Sequence, residues 1–332
     1  MKLLILGGTE FVGRAVVDTA LARDWQVTVF HRGQHKAPEG VSVLHGDREA
    51  PGGLKALAEA DGDWDLVVDT WSSAPSAVQE AARLLAQRAG RYAYVSSRSV
   101  YAWPAGARLD ENGALVEGAQ PGAAATDYAR DKLGGELAAV EAFGEERSLL
   151  VRAGLILGPW ENVGRLPWWL NRVARGGPVP APGPHDLPLQ YIDVRDMAEW
   201  ILHASEQGLA GAYNMVGPPG HTTMGELLEE CVRVTGADAE LRWLDEETIA
   251  AAGVEPWTDL PIWIPRGEGH DAMHQADVSK ALAAGLSCRP AAETVADTWA
   301  WLRSLDGEPP LRAVRSPAGL SREQEKALLP NS

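Results

Sequence analysis

The segment Lys2-Leu-Leu-Ile-Leu-Gly7-Gly8-Thr9-Glu10-Phe11-Val12-Gly13-Arg14 constrains the fold more than any other part of the chain. It is a short apolar run of buried-strand type that breaks into closely spaced glycines and then enters an amphipathic helix pattern. Glycines at such a junction let the backbone approach a pyrophosphate, while the N–H groups of the following helix face the anion. Such a turn works at the carboxyl end of a strand in a parallel sheet.

The first half alternates strand and helix patterns, which argues for a parallel sheet. After the strand Lys2–Leu6 come a helix over Gly13–Arg23, a strand over Gln26–Phe30 and a third strand over Val41–Leu44. A helix over Leu54–Glu59, a strand over Leu66–Asp69, an Ala-rich helix over Ala77–Ala89 and a strand over Tyr92–Ser96 follow. A sixth strand is expected over Leu149–Leu157. The fold class is α/β, a Rossmann-type doubly wound parallel sheet, with ligands beyond the carboxyl ends of the strands. From Pro159 onward Pro and Gly become dense, as in Arg175–Pro184, and tryptophans cluster. We expect a dinucleotide-binding domain over residues 1–158, with late elements returning around 186–204. A small C-terminal α/β substrate lobe should occupy 159–305. The stretch 306–332 reads as a polar tail, with a capping box at Ser321 opening a last short helix. Asp196–Ala204 and Thr223–Thr235 read as helices.

Tyr128-Ala-Arg-Asp-Lys132 places a phenol and an ammonium at i and i+4, on one face of a helix. An ammonium beside a phenol lowers the phenol's pKa and makes it a usable acid or base near neutral pH. A hydroxyl to hold a substrate oxygen is offered by Ser96, Ser97 or Ser99, after the fifth strand; spacing alone does not choose among them.

The chain carries 30 Lys and Arg against 46 Asp and Glu, a net charge of −16. That field repels phosphate backbones and anionic lipid, so a small-molecule substrate is expected, not nucleic acid or membrane. Two cysteines, Cys231 and Cys288, make no disulfide framework, and no apolar run is long enough to span a bilayer. A cytoplasmic protein is expected. The histidines show no metal-ligand spacing, so no metal is expected.

With these motifs in hand, the chain resembles the extended short-chain dehydrogenase/reductases, the group that includes the NAD-dependent sugar epimerases and dehydratases. The resemblance covers about residues 1–305. Its carriers are the glycine turn, His45-Gly46-Asp47, Ser96-Ser97-Arg98-Ser99-Val100-Tyr101, Tyr128 through Lys132, Leu150-Val-Arg152 through Gly158-Pro159, and Gln190 through Ala198. It implies Ser97 as the catalytic hydroxyl, Tyr128 as acid/base, Lys132 on the nicotinamide ribose and Asp47 near the adenine. It also implies dimerisation through the helices near Ala77–Ala89 and Lys132–Phe143. The expected cofactor surface runs through Gly7, Gly8, Thr9, Phe11, Val12 and Gly13 in the turn. It continues through His31, Arg32, Asp47, Arg48, Thr70 and Trp71, and then Ser96, Lys132, Ala153 and Leu155.

Departures from the family pattern carry information too. Glu10 stands where the family's turn usually has glycine, and a carboxylate there is unfavourable to a pyrophosphate unless it turns away. A subgroup with Gly-Gly-Thr-x-Phe-x-Gly shares the feature and includes chloroplast RNA stem-loop binders, which keeps a non-catalytic nucleotide- or RNA-binding role as an alternative. After the second strand, NAD-specific members place an acid for the ribose hydroxyls. This chain has His31-Arg32, and an arginine pairs with a 2′-phosphate. NADP(H) is therefore favoured, with NAD(H) as the alternative. Arg98-Ser99 replace the Asp-Glu pair of the sugar-nucleotide dehydratases, and Leu155 replaces an asparagine of the nucleotide-sugar epimerases. The expected activity is an NAD(P)-dependent carbonyl reduction or alcohol oxidation on a small apolar or cyclic substrate, with an epimerase or dehydratase as the alternative. Thirteen tryptophans are dense for 332 residues. Trp71, Trp103, Trp160 and Trp168 are the candidates for an aromatic substrate wall.

Overall fold

A computed structural model describes residues 1–103, 106–312 and 318–329. Its strands are β1 (Lys2–Leu6), β2 (Gln26–His31), β3 (Ser42–His45), β4 (Trp64–Asp69), β5 (Ala89–Ser97), β6 (Ser148–Ala153), β7 (Ile156–Leu157), β8 (Gly177–Pro182), β9 (Pro188–Leu189), β10 (Ile192–Asp193), β11 (Gly211–Met215), β12 (Thr222–Thr223) and β13 (Ala239–Leu244). The helices are α1 (Phe11–Ala22), α2 (Lys55–Glu59), α3 (Pro75–Leu85), α4 (Tyr128–Phe143), α5 (Arg165–Ala174), α6 (Val194–Glu206), α7 (Met224–Thr235), α8 (Glu246–Ala251), α9 (Glu268–His274), α10 (Ser279–Ala283), α11 (Ala291–Arg303) and α12 (Arg322–Leu328).

Seven strands form one parallel sheet in the order β11-β6-β5-β4-β1-β2-β3. Leu3, Leu4 and Ile5 of β1 are fully buried, as a parallel strand covered on both faces requires. One face packs against α1 and α6 through Val16, Val17, Ile201 and Met197; the other packs against α3 and α4 through Val78, Ala81, Ala138 and Ala139. The strand order reverses between β1 and β4, which opens a cleft beyond their carboxyl ends. A separate core builds the second lobe, with Trp169, Trp263, Leu170 and Leu227 fully or almost fully buried among α5, α7 and α11. The tail returns to this lobe. Ser321 and Gln324 form the expected capping box, Leu328 is buried, and Glu325 pairs with Arg172 of α5 and with Arg175 just past its end.

Several elements depart from the sequence expectations. The expected sixth strand over Leu149–Leu157 is two pieces: β6 lies in the main sheet, and β7 pairs with β10 outside it. The expected helix over Ala77–Ala89 stops at Leu85, because Arg88 N–H closes a turn onto Leu85 C=O and β5 begins at Ala89. The seventh strand, Gly211-Ala-Tyr-Asn-Met215, is absent from the sequence expectations: it has no β-branched residue and owes its place to pairing with β6. The Pro-rich stretch that reads as loop contains β8, paired with β13. Pro178, Pro180 and Pro182 alternate, while Gly177 and Gly183 donate to the β13 side, so the missing N–H groups fall on the unpaired side. Cys231 and Cys288 are free thiols, and among the described residues no helix is long and apolar enough to cross a membrane.

Two buried ion pairs brace the carboxyl edge of the sheet. Arg48 binds Asp69 through two bonds of 2.6 and 2.8 Å, and Tyr92 adds its hydroxyl at 2.5 Å. Burial by itself would raise the Asp69 pKa; the guanidinium more than offsets this and holds the carboxyl below its usual range. Arg152 of β6 binds Glu136 of α4 at 3.0 and 2.9 Å. Replacing one member strands the other as an unpaired buried charge, which typically costs about 3–5 kcal/mol. Arg152→Leu should therefore lower the unfolding free energy by about that much in a urea titration. A loss well under ~1 kcal/mol would show that the pair does not brace the sheet.

Candidate active site

The glycine turn sits at the β1 end of the cleft. Gly7 donates its N–H to Phe30 C=O at 2.9 Å and has φ +123°. A Cβ there would lie 2.5 Å from Thr70 Oγ1, and one on Gly13 would lie 2.6 Å from Gly8 N. Side chains at these two places would push α1 off the strand end, so the turn must be bare. The Glu10 carboxylate is engaged away from the backbone amides: it accepts from Asn162 Nδ2 at 3.3 Å and lies 3.5 Å from His35 Nε2. It makes no cap bond to α1, so the N–H groups that open this helix keep their capacity for an anion.

Across the cleft, α4 begins at Tyr128, with Asp127 as its cap accepting from Arg130 N–H at 3.1 Å. Tyr128 is 43% exposed; Lys132, one turn on, is 3% exposed. The Lys132 ammonium donates to Trp71 C=O at 2.5 Å and Val95 C=O at 2.6 Å, and lies 4.8 Å from the centre of the Tyr94 ring. Burial pulls its pKa down from 10.5 to about 7; the Asp69 carboxylate opposes this, and Arg312 adds to it. Of the three serines, Ser96 donates its hydroxyl to Glu136 at 2.6 Å. Ser97 Oγ accepts from Ser99 N–H at 3.1 Å and lies 3.1 Å from Ser99 Oγ, facing the cleft.

One cavity of about 570 Å³ gathers most of the expected residues. Gly7, Gly8, Thr9, Phe11, Val12 and Gly13 form its floor, with Thr70, Ala153 and Leu155 beside them. Ser96, Ser97, Tyr128, Lys132 and Trp103 form the opposite wall, and Trp103 stands 67% exposed at the mouth.

Other expected residues are placed elsewhere. Arg48, expected on the cofactor, instead commits its guanidinium to Asp69 and Ala77 C=O. Trp71 contributes its carbonyl to Lys132, while its indole N–H bonds Ala74 C=O and its ring packs 5.0 Å from the Arg48 guanidinium, outside the cavity lining. Trp160 stacks on Arg14 at 4.7 Å and on Trp301, beside the cavity and not in it. Trp168 packs edge-on against Trp169 within the second lobe. His31 is buried against His45 and accepts from Gly33 N–H at 3.2 Å; burial first, then His45 and His35, lower its pKa. Arg32 beside it is exposed, and Asp47 is turned to Glu49 N–H at 3.1 Å.

Sequence reasoning misses part of the wall. Arg98 binds Ala272 C=O at 2.8 Å and Met273 C=O at 3.1 Å, tying the serine loop to α9. Tyr101 links Asn214 at 2.7 Å to Arg152 at 3.2 Å. Arg165 lies over the Trp257 ring at 4.7 Å, and Arg312 reaches in from the tail. Tyr101 stands within a recognised motif; Arg165, Trp257 and Arg312 carry no local signal.

The model of the NAD dependent epimerase/dehydratase family matches residues 3–216, and the chain belongs to that family. Solved structures with the same fold include a UDP-glucuronic acid 4-epimerase from Bacillus cereus in complex with NAD, at 15% identity and a TM-score of 0.65, covering 94% of this chain and 99% of that one. A putative epimerase from Burkholderia cenocepacia J2315 is 21% identical with a TM-score of 0.65, covering 92% and 98%. The UDP-glucose 4-epimerase of Thermus thermophilus, complexed with NAD, is 21% identical with a TM-score of 0.59, covering 92% and 99%. Comparison with curated proteins gives no match.

The depressed Lys132 pKa has a direct readout. Because the folded pKa of about 7 lies below the unfolded 10.5, folding is penalised for this proton at low pH, and the penalty lifts as pH rises from about 7 to 10.5. Side-chain NMR of the dinucleotide-free protein should show one lysine titrating near 7, absent in Lys132→Met. Titration of every lysine near the ordinary value of about 10 would contradict the burial argument.

Proposed function

We propose that this chain is a nicotinamide-dependent oxidoreductase that interconverts a carbonyl and an alcohol on a small organic substrate. The observation that carries the reading is the convergence of Ser97, Tyr128 and Lys132 with the bare glycine turn on one cavity. The residues present fit a dinucleotide: the turn has no room for side chains, Glu10 is held away by Asn162 and His35, and α1 offers its free N–H groups. When bound, the nicotinamide supplies or accepts the hydride.

Tyr128 gives its proton to the substrate oxygen, or takes it in the reverse direction. Ser97 Oγ hydrogen-bonds the same oxygen and fixes its distance from the phenol. Lys132, one turn along α4 from Tyr128, would present a buried donor to the dinucleotide. Donors held in place before reaction stabilise charge where it develops. Val116, Leu155, Val163, Trp103 and Trp257 give the cavity apolar surface for the substrate body. Arg32, exposed after β2 and flanked in sequence by His31 and Gly33, favours NADP(H) over NAD(H). The net charge of −16 supports a small-molecule substrate over RNA.

Family membership and the epimerase names of the neighbouring structures favour a second reading, an epimerase that oxidises and re-reduces its substrate on a retained NAD. Such an enzyme would purify with dinucleotide and release none in turnover. The buried apolar Leu155 weighs against a nucleotide-sugar substrate.

Tyr128→Phe removes the proton donor alone, so turnover should fall by about 10²–10⁴-fold while dinucleotide affinity is kept. In the same titrations, NADPH should bind more tightly than NADH, and Arg32→Ala should erase the difference. Near wild-type turnover in Tyr128→Phe would overturn the mechanism.

A further inference from the structure

In the second lobe, the turn over residues 257–263 holds two bulky side chains on a backbone conformation that favours glycine. Trp257 has φ +66° and the β-branched Ile262 has φ +75°. Such outliers persist only where the surroundings over-determine them, and they cluster at ligand clamps. The surroundings here do so. Trp257 N–H donates to Trp263 C=O at 2.9 Å and closes the turn, while Thr258 N–H donates to Pro256 C=O at 2.7 Å. The Asp259 carboxylate accepts from Glu255 N–H at 2.9 Å. On one side the lobe core grips the turn: the Trp169 indole donates to Pro261 C=O at 2.8 Å, and the Trp263 indole donates to Gly183 C=O at 3.0 Å. On the other side the tail grips it: Gly319 N–H donates to Thr258 C=O at 2.8 Å, and Gln324 donates to Asp259 at 2.7 Å.

The two tryptophans of this turn end in different places. Trp263 is 1% exposed and belongs to the lobe core, as Trp169 does. Trp257 is half-buried and lines the cavity that holds Ser97 and Tyr128. The Arg165 guanidinium lies over its ring at 4.7 Å. Arg165 is itself fixed, because the buried Glu161 carboxylate accepts the backbone N–H groups of Arg165 and Leu166 at 2.8 and 3.2 Å and so sets the start of α5. The indole is thus held by a strained, closed turn and backed by an anchored guanidinium. A tryptophan that served packing alone would need neither, as Trp169 shows from within a helix. Backbone strain kept at a cavity wall marks the side chain that it aims.

We propose that Trp257 is the substrate platform of this cavity, a fixed indole that selects a substrate whose reacting carbonyl or alcohol is borne on a flat aromatic ring. This rests on the oxidoreductase reading above and adds the shape of its substrate. The dinucleotide has the glycine turn and the N-terminus of α1, whereas Trp257 packs on the core of the second lobe, across the cavity from that turn. A planar ring gains from an indole face or edge beyond what its apolar area supplies, and an aliphatic ring of the same size does not. A platform that is already rigid loses little freedom when the substrate arrives.

The test is calorimetry on the full chain saturated with NADPH or NADH, whichever binds more tightly, with benzyl alcohol and cyclohexylmethanol as probes. An alcohol cannot be oxidised on a reduced dinucleotide, so the titration reads binding alone. Benzyl alcohol should bind the wild-type complex at least as tightly as cyclohexylmethanol, although the latter is the more apolar. Trp257→Leu should shift the ratio of the two affinities towards cyclohexylmethanol by about two- to tenfold, and Trp257→Phe should keep most of the wild-type ratio. A merely structural role would weaken both probes alike and leave the ratio unmoved. Dinucleotide affinity should be unchanged in both variants, which also shows that they fold. A wild-type preference for cyclohexylmethanol, or no binding of either alcohol to the dinucleotide complex, would overturn the platform without any variant. So would a ratio that survives Trp257→Leu, or a loss of dinucleotide affinity in Trp257→Phe, which would assign the ring to the cofactor. A wild-type protein that binds no dinucleotide fails the functional reading itself, and is seen before any probe is added.

Discussion

The buried ammonium of Lys132 is the point on which the site depends. It joins α4 to the sheet by donating to two carbonyls, one just past the end of β4 and one within β5. No carboxylate takes up its charge directly among the described residues, so burial depresses its pKa to about 7. A group held in that condition responds strongly to an arriving anion. Under the proposed function, a dinucleotide would bring its negative charge to the cleft beside this group.

The rest of the site is arranged along the same helix. Tyr128, Lys132 and Glu136 stand at i, i+4 and i+8, so one stripe of α4 carries the proposed acid/base, the buried ammonium and the carboxylate that grips the sheet. Glu136 grips Arg152 of β6 and accepts from Ser96, and Arg152 reaches Tyr101, which holds Asn214 of β11. This buried chain of bonds spans the sheet edge behind the cavity and fixes the serine loop relative to α4. Arg48 and Asp69 do the same under Trp71, whose carbonyl receives Lys132. Residues that resemble cofactor contacts by position are thus partly structural, and they act by holding the carbonyls and hydroxyls that face the cleft.

The parallel sheet, the bare turn and the Tyr128–Lys132 stripe are legible in the sequence because each rests on local spacing: a strand or helix period, adjacent glycines, or an i, i+4 pair. The capping box at Ser321 is legible for the same reason. What local spacing does not carry is set by long-range partners. β11 exists because β6 needs a neighbour, and β8 tolerates its prolines because only one side is paired. Asp69, far away in sequence, draws Arg48 off the cofactor surface. The tryptophans read as a group in sequence, yet Trp103 lines the cavity, whereas Trp71 and Trp160 pack on arginines and Trp168 on Trp169. Arg312 lies in a stretch that reads as polar tail, and only the docking of that tail on the second lobe brings it to the site.

The central claim is that a dinucleotide binds this cleft and returns charge to Lys132. Calorimetric titration of the stripped protein with NADPH at about pH 8, in buffers of different ionisation enthalpy, tests it most directly. The account predicts uptake of up to about one proton on binding, because a lysine that titrates near 7 is mostly neutral at that pH and gains its proton beside the anion. Lys132→Met should still bind, more weakly, and take up none. Binding with no buffer dependence in the wild-type protein, or no binding of either NADPH or NADH, would contradict it.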